Sequence, residues 1–322
     1  MRAVVCTALG PPESLQLLDR DPGPPRPGQA RVAMRAAGLN FPDVLMLEGG
    51  YQLKPELPFV PGMEGAGVVE AVGEGVASVA PGDRVIVRMR PGTFAEAVVL
   101  DADRLLPLAD TFSFEEGAAF VVGAHTAYQS LVDRGRLVAG ETLLVHGATG
   151  GVGLAAVQLG HHLGARVIAV ASTEAKRDAA RAAGAALAIP YEGFREAVLD
   201  ATDGRGADVI YDPVGGEVFE QSLRCIAWRG RLLVVGFTSG AYGQIAANYP
   251  LLKGCAVIGV RAGEAGRRDP AGGRRTMQAL MRLAEDGVMR PHISIREPLD
   301  RVATAMRAMA DRQVIGKAVL TM

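Results

Sequence analysis

One segment of the chain combines an apolar run, a glycine-rich turn and the start of a helix-length stretch. It reads Leu143-Leu144-Val145-His146-Gly147-Ala148-Thr149-Gly150-Gly151-Val152-Gly153-Leu154. Glycines let a backbone turn sharply and approach a pyrophosphate without a Cβ in the way. The helix that follows then offers N–H groups and a positive dipole end to the phosphates. The spacing is not a strict GxGxxG, because Ala148 stands at the first glycine position. Gly150 and Gly153 remain as the close-approach positions, with Gly151 and Val152 between them. Glycine clusters also build plain turns. Here the strand before and the helix after supply the context a dinucleotide site requires.

The next strand bears on which dinucleotide is bound. A carboxylate at its tip would bind a ribose 2′-OH. It ends Ile168-Ala169-Val170-Ala171-Ser172-Thr173, with no acid at the tip. Ser172 can donate a hydrogen bond to a 2′-phosphate, and Lys176 adds positive charge one turn later, so NADPH is the expected cofactor. Glu174 opens the following helix, where an acid favours the amino end. The plainer alternative makes Ser172 and Thr173 helix caps and Lys176 a solvated surface residue.

No metal site is expected. There is no HExxH, and His125, His146, His161, His162 and His292 show no ligand spacing with Cys6, Cys225 or Cys255. Without a Lewis acid, alcohol oxidation is hard to explain, and reduction of an already electrophilic acceptor is easier.

These residues need a scaffold. With 322 residues and 49% apolar content, two domains are expected. Up to about residue 120 the chain alternates short β-type runs (Val32–Arg35, Gly67–Val72, Arg84–Val87) with Pro/Gly turns, as a mostly β domain would. Beyond that point six strands are expected: Thr142–His146, Arg166–Val170, Ala186–Ile189, Asp208–Tyr211, Arg231–Gly236 and Cys255–Val260. Helices are expected near 151–163, 173–183, 192–201 and 215–227. That alternation predicts a parallel, doubly wound sheet covered on both faces. Arg261–Arg275 reads as a loop. Helices near 275–286 and 299–310 and strands near Ile293 and Ala318–Thr321 follow, and the last segment is expected to complete the sheet of the first domain.

Lys and Arg number 34 against 35 Asp and Glu, a formal charge of −1, which gives no reason to expect nucleic acid or an anionic membrane as partner. Three scattered cysteines fit a reducing compartment. The amino terminus alternates like a strand rather than a signal peptide, and no apolar run is long enough for a membrane span, so a cytoplasmic location is expected.

The chain resembles the medium-chain dehydrogenase/reductases, specifically the zinc-free quinone oxidoreductase (zeta-crystallin-like) branch. The resemblance covers nearly the whole length. Its marks are Ala37-Gly38-Leu39-Asn40-Phe41-Pro42-Asp43, Pro58-Phe59-Val60-Pro61-Gly62-Met63-Glu64-Gly65-Ala66-Gly67, the phosphate loop, Tyr211-Asp212-Pro213-Val214-Gly215-Gly216 and Ile315-Gly316-Lys317. Zinc enzymes of the superfamily carry a cysteine where Asn40 stands and a histidine where Met63 stands. Only Glu64 survives here, and the four-cysteine structural zinc lobe is absent.

The resemblance implies an α/β protein with a GroES-like mostly-β catalytic domain (1–120 and 261–322) and a Rossmann NADPH-binding domain (121–260). It also implies a homodimer through the edge strand near Cys255–Val260. It places Asn40 and Tyr51 beside the nicotinamide, facing the acceptor, and Thr126 near the nicotinamide end. Ser172, Lys176 and Tyr191 surround the adenosine 2′-phosphate, and Phe237 to Ser239 form a loop beside the cofactor. Read as residues alone, Asn40 also suits a helix cap, Tyr51 a packing aromatic and Asp212 a turn. The implied activity is hydride transfer to a quinone or related conjugated carbonyl. An enone, 2-alkenal or enoyl-thioester (acyl-CoA) reductase is the alternative, favoured if Arg261, Arg267 and Arg268 face an anionic substrate. A non-catalytic NADPH-binding protein is the alternative of another class.

Overall fold

Alternation in Gln29–Gly38 puts Ala30, Val32, Met34 and Ala36 on a buried face, and this strand forms the spine of a seven-stranded sheet. The computed structural model describes all 322 residues, which divide into two units: Met1–Val122 with Pro291–Met322, and Gly123–Arg290. In the first unit the strand order is Ile293–Pro298, Lys317–Thr321, Gln29–Gly38, Glu64–Val72, Arg84–Arg88 and Leu105–Pro107. Ala97–Asp101 pairs with Gln29–Gly38 off this path. The last strand therefore completes this sheet, as its apolar pattern predicts. It runs antiparallel to Gln29–Gly38, with Val319 opposite Gly38. Packing at this end is close: a Cβ on Gly38 would lie 2.2 Å from the Ala118 carbonyl oxygen.

The second unit holds six parallel strands in the order Leu187–Ile189, Arg166–Val170, Thr142–Val145, Ala207–Asp212, Ile226–Val234 and Ala256–Gly259. Leu143, Leu144, Val145, Val167, Ile168, Val209 and Ile210 are fully buried, as strands covered on both faces require. Successive strands step outward in opposite directions from the central pair Thr142–Val145 and Ala207–Asp212. The crevice beyond the carboxyl ends of that pair is where such sheets bind ligands.

Three expectations are corrected. The stretch 261–275 is helical: Ala262–Arg268 is followed by Pro270–Glu285. Asp269 caps the longer helix by accepting the Gly272 N–H at 2.8 Å, and Pro270 suits the first turn. Both helices belong to the second unit, so the chain returns to the first at Pro291 rather than at 261. Gln158 explains where the segment ends. Its side chain brackets the Arg290 backbone, donating to the carbonyl at 2.9 Å and accepting the N–H at 3.2 Å. The helix expected over 215–227 is shorter: Glu217–Ser222 is α-helical, a 3-10 turn Leu223–Cys225 follows, and Ile226 already pairs with Ala207 in the sheet.

Candidate functional site

In the second unit the phosphate loop is built by close backbone contacts. Gly147 has φ 54°, and a Cβ on it would lie 3.2 Å from Pro213 Cγ. A Cβ on Gly153 would stand 2.1 Å from the Gly147 carbonyl oxygen, so only glycine lets the helix Gly151–His162 start against the turn. The N–H groups of Gly151, Val152 and Gly153 open that helix and have no acceptor within it. Gly150 is extended at φ −75°, and a Cβ on it would lie 3.5 Å from the Gly147 carbonyl oxygen, in ordinary contact. This tight turn at the start of a helix, with its free N–H groups, fits a dinucleotide pyrophosphate. Gly123, on the helix Val121–Tyr128, packs against Gly151, where a Cβ would meet the carbonyl oxygen at 2.8 Å. Thr126 lies one turn along the same face and accepts a hydrogen bond at its carbonyl from Ser130 Oγ at 2.7 Å.

The turn is braced from beneath. Tyr191 Oη accepts the Gly147 N–H at 2.9 Å. His146 is buried with Phe194 edge-on at 4.8 Å and Tyr191 at 6.2 Å, and its Nε2 lies 2.7 Å from Ser222 Oγ. Burial pushes its pKa down to about 3, so the ring is neutral and structural. Tyr191 thus reaches the phosphate loop directly, a contact its sequence position did not disclose.

Val170 pairs with Ile189, so Ser172 and Tyr191 leave neighbouring strands at the same level. Ser172 is exposed. Thr173 caps the helix Glu174–Ala182 by accepting the Lys176 N–H at 3.3 Å. Glu174 is held by Arg177 at 2.6 Å and Arg181 at 2.7 Å, which keep its carboxyl below the usual range. Glu174, the acid that opens this helix, is therefore already paired with two cations.

The loops after the fourth and fifth strands are zipped together. Thr238 N–H donates to Pro213 O and Ser239 N–H to Val214 O, both at 3.0 Å. Phe237 is half-exposed and meets Tyr242 edge-on at 4.7 Å, while Ser239 Oγ bonds the Ala241 backbone. Asp212 is buried and accepts the Val214 and Gly215 N–H groups at 2.8 and 3.0 Å. It shapes the turn, and burial raises its pKa.

In the first unit, Asn40 precedes the helix Phe41–Leu47, but its side chain does not cap it. Instead Asp43 accepts the Asn40 backbone N–H at 2.8 Å. Asn40 Oδ1 accepts from Lys317 Nζ at 2.7 Å, and Asn40 Nδ2 donates to Glu64 Oε1 at 3.0 Å and to Gly38 O at 3.4 Å. Lys317 also pairs with Glu64 Oε1 at 2.7 Å, and Glu64 Oε2 accepts the Val122 N–H at 2.9 Å. Tyr51 is partly buried against the core around Leu39, Met46 and Phe59. The roles of Lys317 and Glu64 beside Asn40 went unread in the sequence, although a lysine opening the apolar strand Lys317–Thr321 was a usable signal. No group of three or more His, Cys, Asp or Glu side chains is arranged to hold a metal ion.

Residues 26–110 match the alcohol dehydrogenase GroES-like domain and residues 151–286 the zinc-binding dehydrogenase domain. A quinone oxidoreductase-like protein 2 homolog from Nematostella vectensis is 39% identical, with 99% of this chain and 88% of that protein covered. The chain belongs to the medium-chain dehydrogenase/reductases, in the zinc-free quinone oxidoreductase branch. Other members are close over their full length. A quinone oxidoreductase of Pseudomonas aeruginosa is 37% identical, covering 97% of each chain. The Escherichia coli quinone oxidoreductase, solved in complex with NADPH, superposes with a TM-score of 0.91 at 29% identity, covering 100% of each chain. The protein is therefore an oxidoreductase, and its two units are the GroES-like and Rossmann-type domains of this family.

Proposed function

We propose that this oxidoreductase uses NADPH to reduce a quinone or closely related conjugated carbonyl, without zinc. The observation that carries the cofactor reading is the strand tip beside the phosphate loop. Ser172 is exposed there, Lys176 is one turn on, and Glu174 is tied up by Arg177 and Arg181. A 2′-phosphate meets donors at that place, and the carboxylate of Glu174 is already engaged. The helix opening at Gly151, Val152 and Gly153 takes the pyrophosphate, and Tyr191 keeps the loop in shape through Gly147. Thr126, Phe237 and Ser239 border the nicotinamide portion.

When bound, the dinucleotide supplies the hydride. The chain's own task is orientation and charge stabilisation. Asn40 and Tyr51 hydrogen-bond the acceptor oxygen. Asn40 Nδ2 retains a weakly held hydrogen for this, since its bond to Gly38 O is long at 3.4 Å. A quinone needs no proton at carbon. Quinone relatives over the full chain length support the same acceptor. Of the three arginines that would favour an acyl-CoA acceptor, Arg267 and Arg268 both pair with Glu264 in a helix, while Arg261 is exposed.

Nicotinamide absorbance followed anaerobically, with a benzoquinone, an ortho-quinone, a 2-alkenone and crotonyl-CoA as acceptors, tests the reading. Fast turnover on the quinones supports it. Turnover confined to crotonyl-CoA or the enone replaces it with an alkene reductase. Cofactor binding without any turnover sinks it.

A homodimer belongs to the same proposal. The edge strand Ala256–Gly259 leaves its outer rim unpaired, and Trp228, Leu251, Leu252 and Val257 beside it are exposed by 66, 78, 68 and 37%. An apolar sheet edge of this kind needs covering, and a second copy pairing edge to edge does so. Sedimentation equilibrium is expected to give twice the chain mass, and a monomer for Leu251→Glu; a monomeric wild type would refute it. No helix is long and apolar enough to cross a membrane. The three buried, unpaired thiols fit the proposed cytoplasmic location.

A further inference from the structure

The first unit buries a lysine, a glutamate and an asparagine carboxamide in mutual contact at one end of its sheet. Lys317 is 4% exposed and Glu64 is fully buried. The sheet register explains how residues so distant in sequence meet. Val319 lies opposite Gly38, and Leu39 N–H bonds Ala318 O at 3.0 Å, which brings Lys317 level with Asn40. On the other flank Glu64 pairs with Gly38. Lys317 itself is anchored by its backbone N–H on His292 O at 2.8 Å. The two charged residues thus hold the carboxamide from neighbouring strands.

An isolated asparagine amide exchanges its oxygen and nitrogen by a half-turn of the side chain. Here that flip would set an NH2 group against the Lys317 ammonium and an oxygen against the Glu64 carboxylate. Both contacts would be repulsive in a dry site. The ammonium donates to Oδ1 at 2.7 Å, and the carboxylate accepts from Nδ2 at 3.0 Å. Only one orientation satisfies both. The ammonium on Oδ1 also draws electron density from the amide nitrogen and strengthens its N–H groups as donors.

We propose that Lys317 and Glu64 are positioning residues for the reduction: together they lock the Asn40 carboxamide in one orientation and hold its second Nδ2 hydrogen ready as a polarised donor for the acceptor oxygen. The proposal rests on the reading of Asn40 given above. A donor fixed before the charge develops needs no reorganisation when the hydride arrives. The lock therefore acts on kcat, and most strongly for a weak electrophile, whose oxygen needs more stabilisation than a quinone's.

The test pairs a wild-type measurement with variants. The chain contains only two asparagines, Asn40 and Asn248, and Asn248 is exposed on the helix Asn248–Lys253. Selective 15N-asparagine labelling therefore gives two side-chain amide signals. One is expected to exchange slowly with solvent, to show two resolved protons, and to vanish in Asn40→Ala. Two fast-exchanging side-chain amides would overturn the lock without any variant having to fold.

For the reaction, Lys317→Met is made together with Glu64→Gln, so that no unpaired charge is left buried. Its kcat should fall by about tenfold or more, further for a 2-alkenone than for a benzoquinone, while the NADPH dissociation constant stays within about twofold. A kcat within about twofold of wild type on both acceptors would overturn the positioning role. Asn40→Ala is assayed beside it. Full activity in Asn40→Ala would show that Asn40 does not serve the acceptor, which removes the underlying reading and this inference together. A slow Asn40→Ala beside a fast double variant would remove this inference alone.

Discussion

Replacing Asp43 by asparagine should abolish a pH dependence built into the first unit. Asp43 is fully buried, and one carboxylate oxygen accepts the Asn40 N–H at 2.8 Å. Burial raises its pKa from 3.8 to about 7, against the pull of the Asn40 N–H and of Lys317, and Glu64 pushes the same way as burial. A carboxyl whose folded pKa lies above its unfolded one binds more protons folded than unfolded between those values. Its contribution to stability is therefore lost as pH rises from about 4 to about 7. The gap is worth about 4 kcal/mol at most, and about 3 kcal/mol of it falls between pH 5 and pH 8. Asp43→Asn keeps an oxygen for the Asn40 N–H and carries no charge at any pH.

Hydrogen exchange of peptides covering Glu64–Val72, corrected for intrinsic rates, reports on this unit. The variant is expected to gain about 3 kcal/mol relative to wild type on going from pH 5 to pH 8. Equal slopes for the two proteins would refute the reasoning. His146 works in the opposite sense: its stabilising neutral form is present above 6.5 and lost as pH falls towards about 3. It lies in the second unit, so peptides of the first isolate Asp43.

Three further outcomes follow from the cofactor loop. Gly153→Ala drives a Cβ into the Gly147 carbonyl, and titration should show NADPH binding weakened by about tenfold or more, about 1.4 kcal/mol. Tyr191→Phe leaves the Gly147 N–H without its acceptor, at about 1 kcal/mol, so NADPH affinity should fall about fivefold with the fold intact. Ser172→Asp sets a carboxylate where the 2′-phosphate is expected. The ratio of kcat/KM for NADPH over NADH should drop by about tenfold or more, and an unchanged ratio would move the 2′-phosphate elsewhere.

The phosphate loop and its parallel sheet were legible because their signals are local: apolar strand, glycine turn and helix follow one another within Leu143–His162. The pairing of Asn40 with Lys317 was not, because antiparallel register joins residues that no sequence window spans. The 261–275 segment misled for a different reason. Its glycines and arginines resemble a loop, and the Asp269-Pro270 start that caps the longer helix is a local signal the composition masks. Tyr191 matched a cofactor position by resemblance, yet its hydroxyl meets the loop backbone, a contact set by the adjacent strands rather than by its own neighbours in sequence.

The most direct test of the account is a single-turnover reduction of a benzoquinone by NADPH carrying deuterium at both C4 positions of the nicotinamide, compared with unlabelled NADPH. Hydride transfer from this cofactor predicts acceptor-dependent oxidation that is slower with the labelled cofactor. No acceptor-dependent oxidation, or identical rates for the two cofactors, would contradict it.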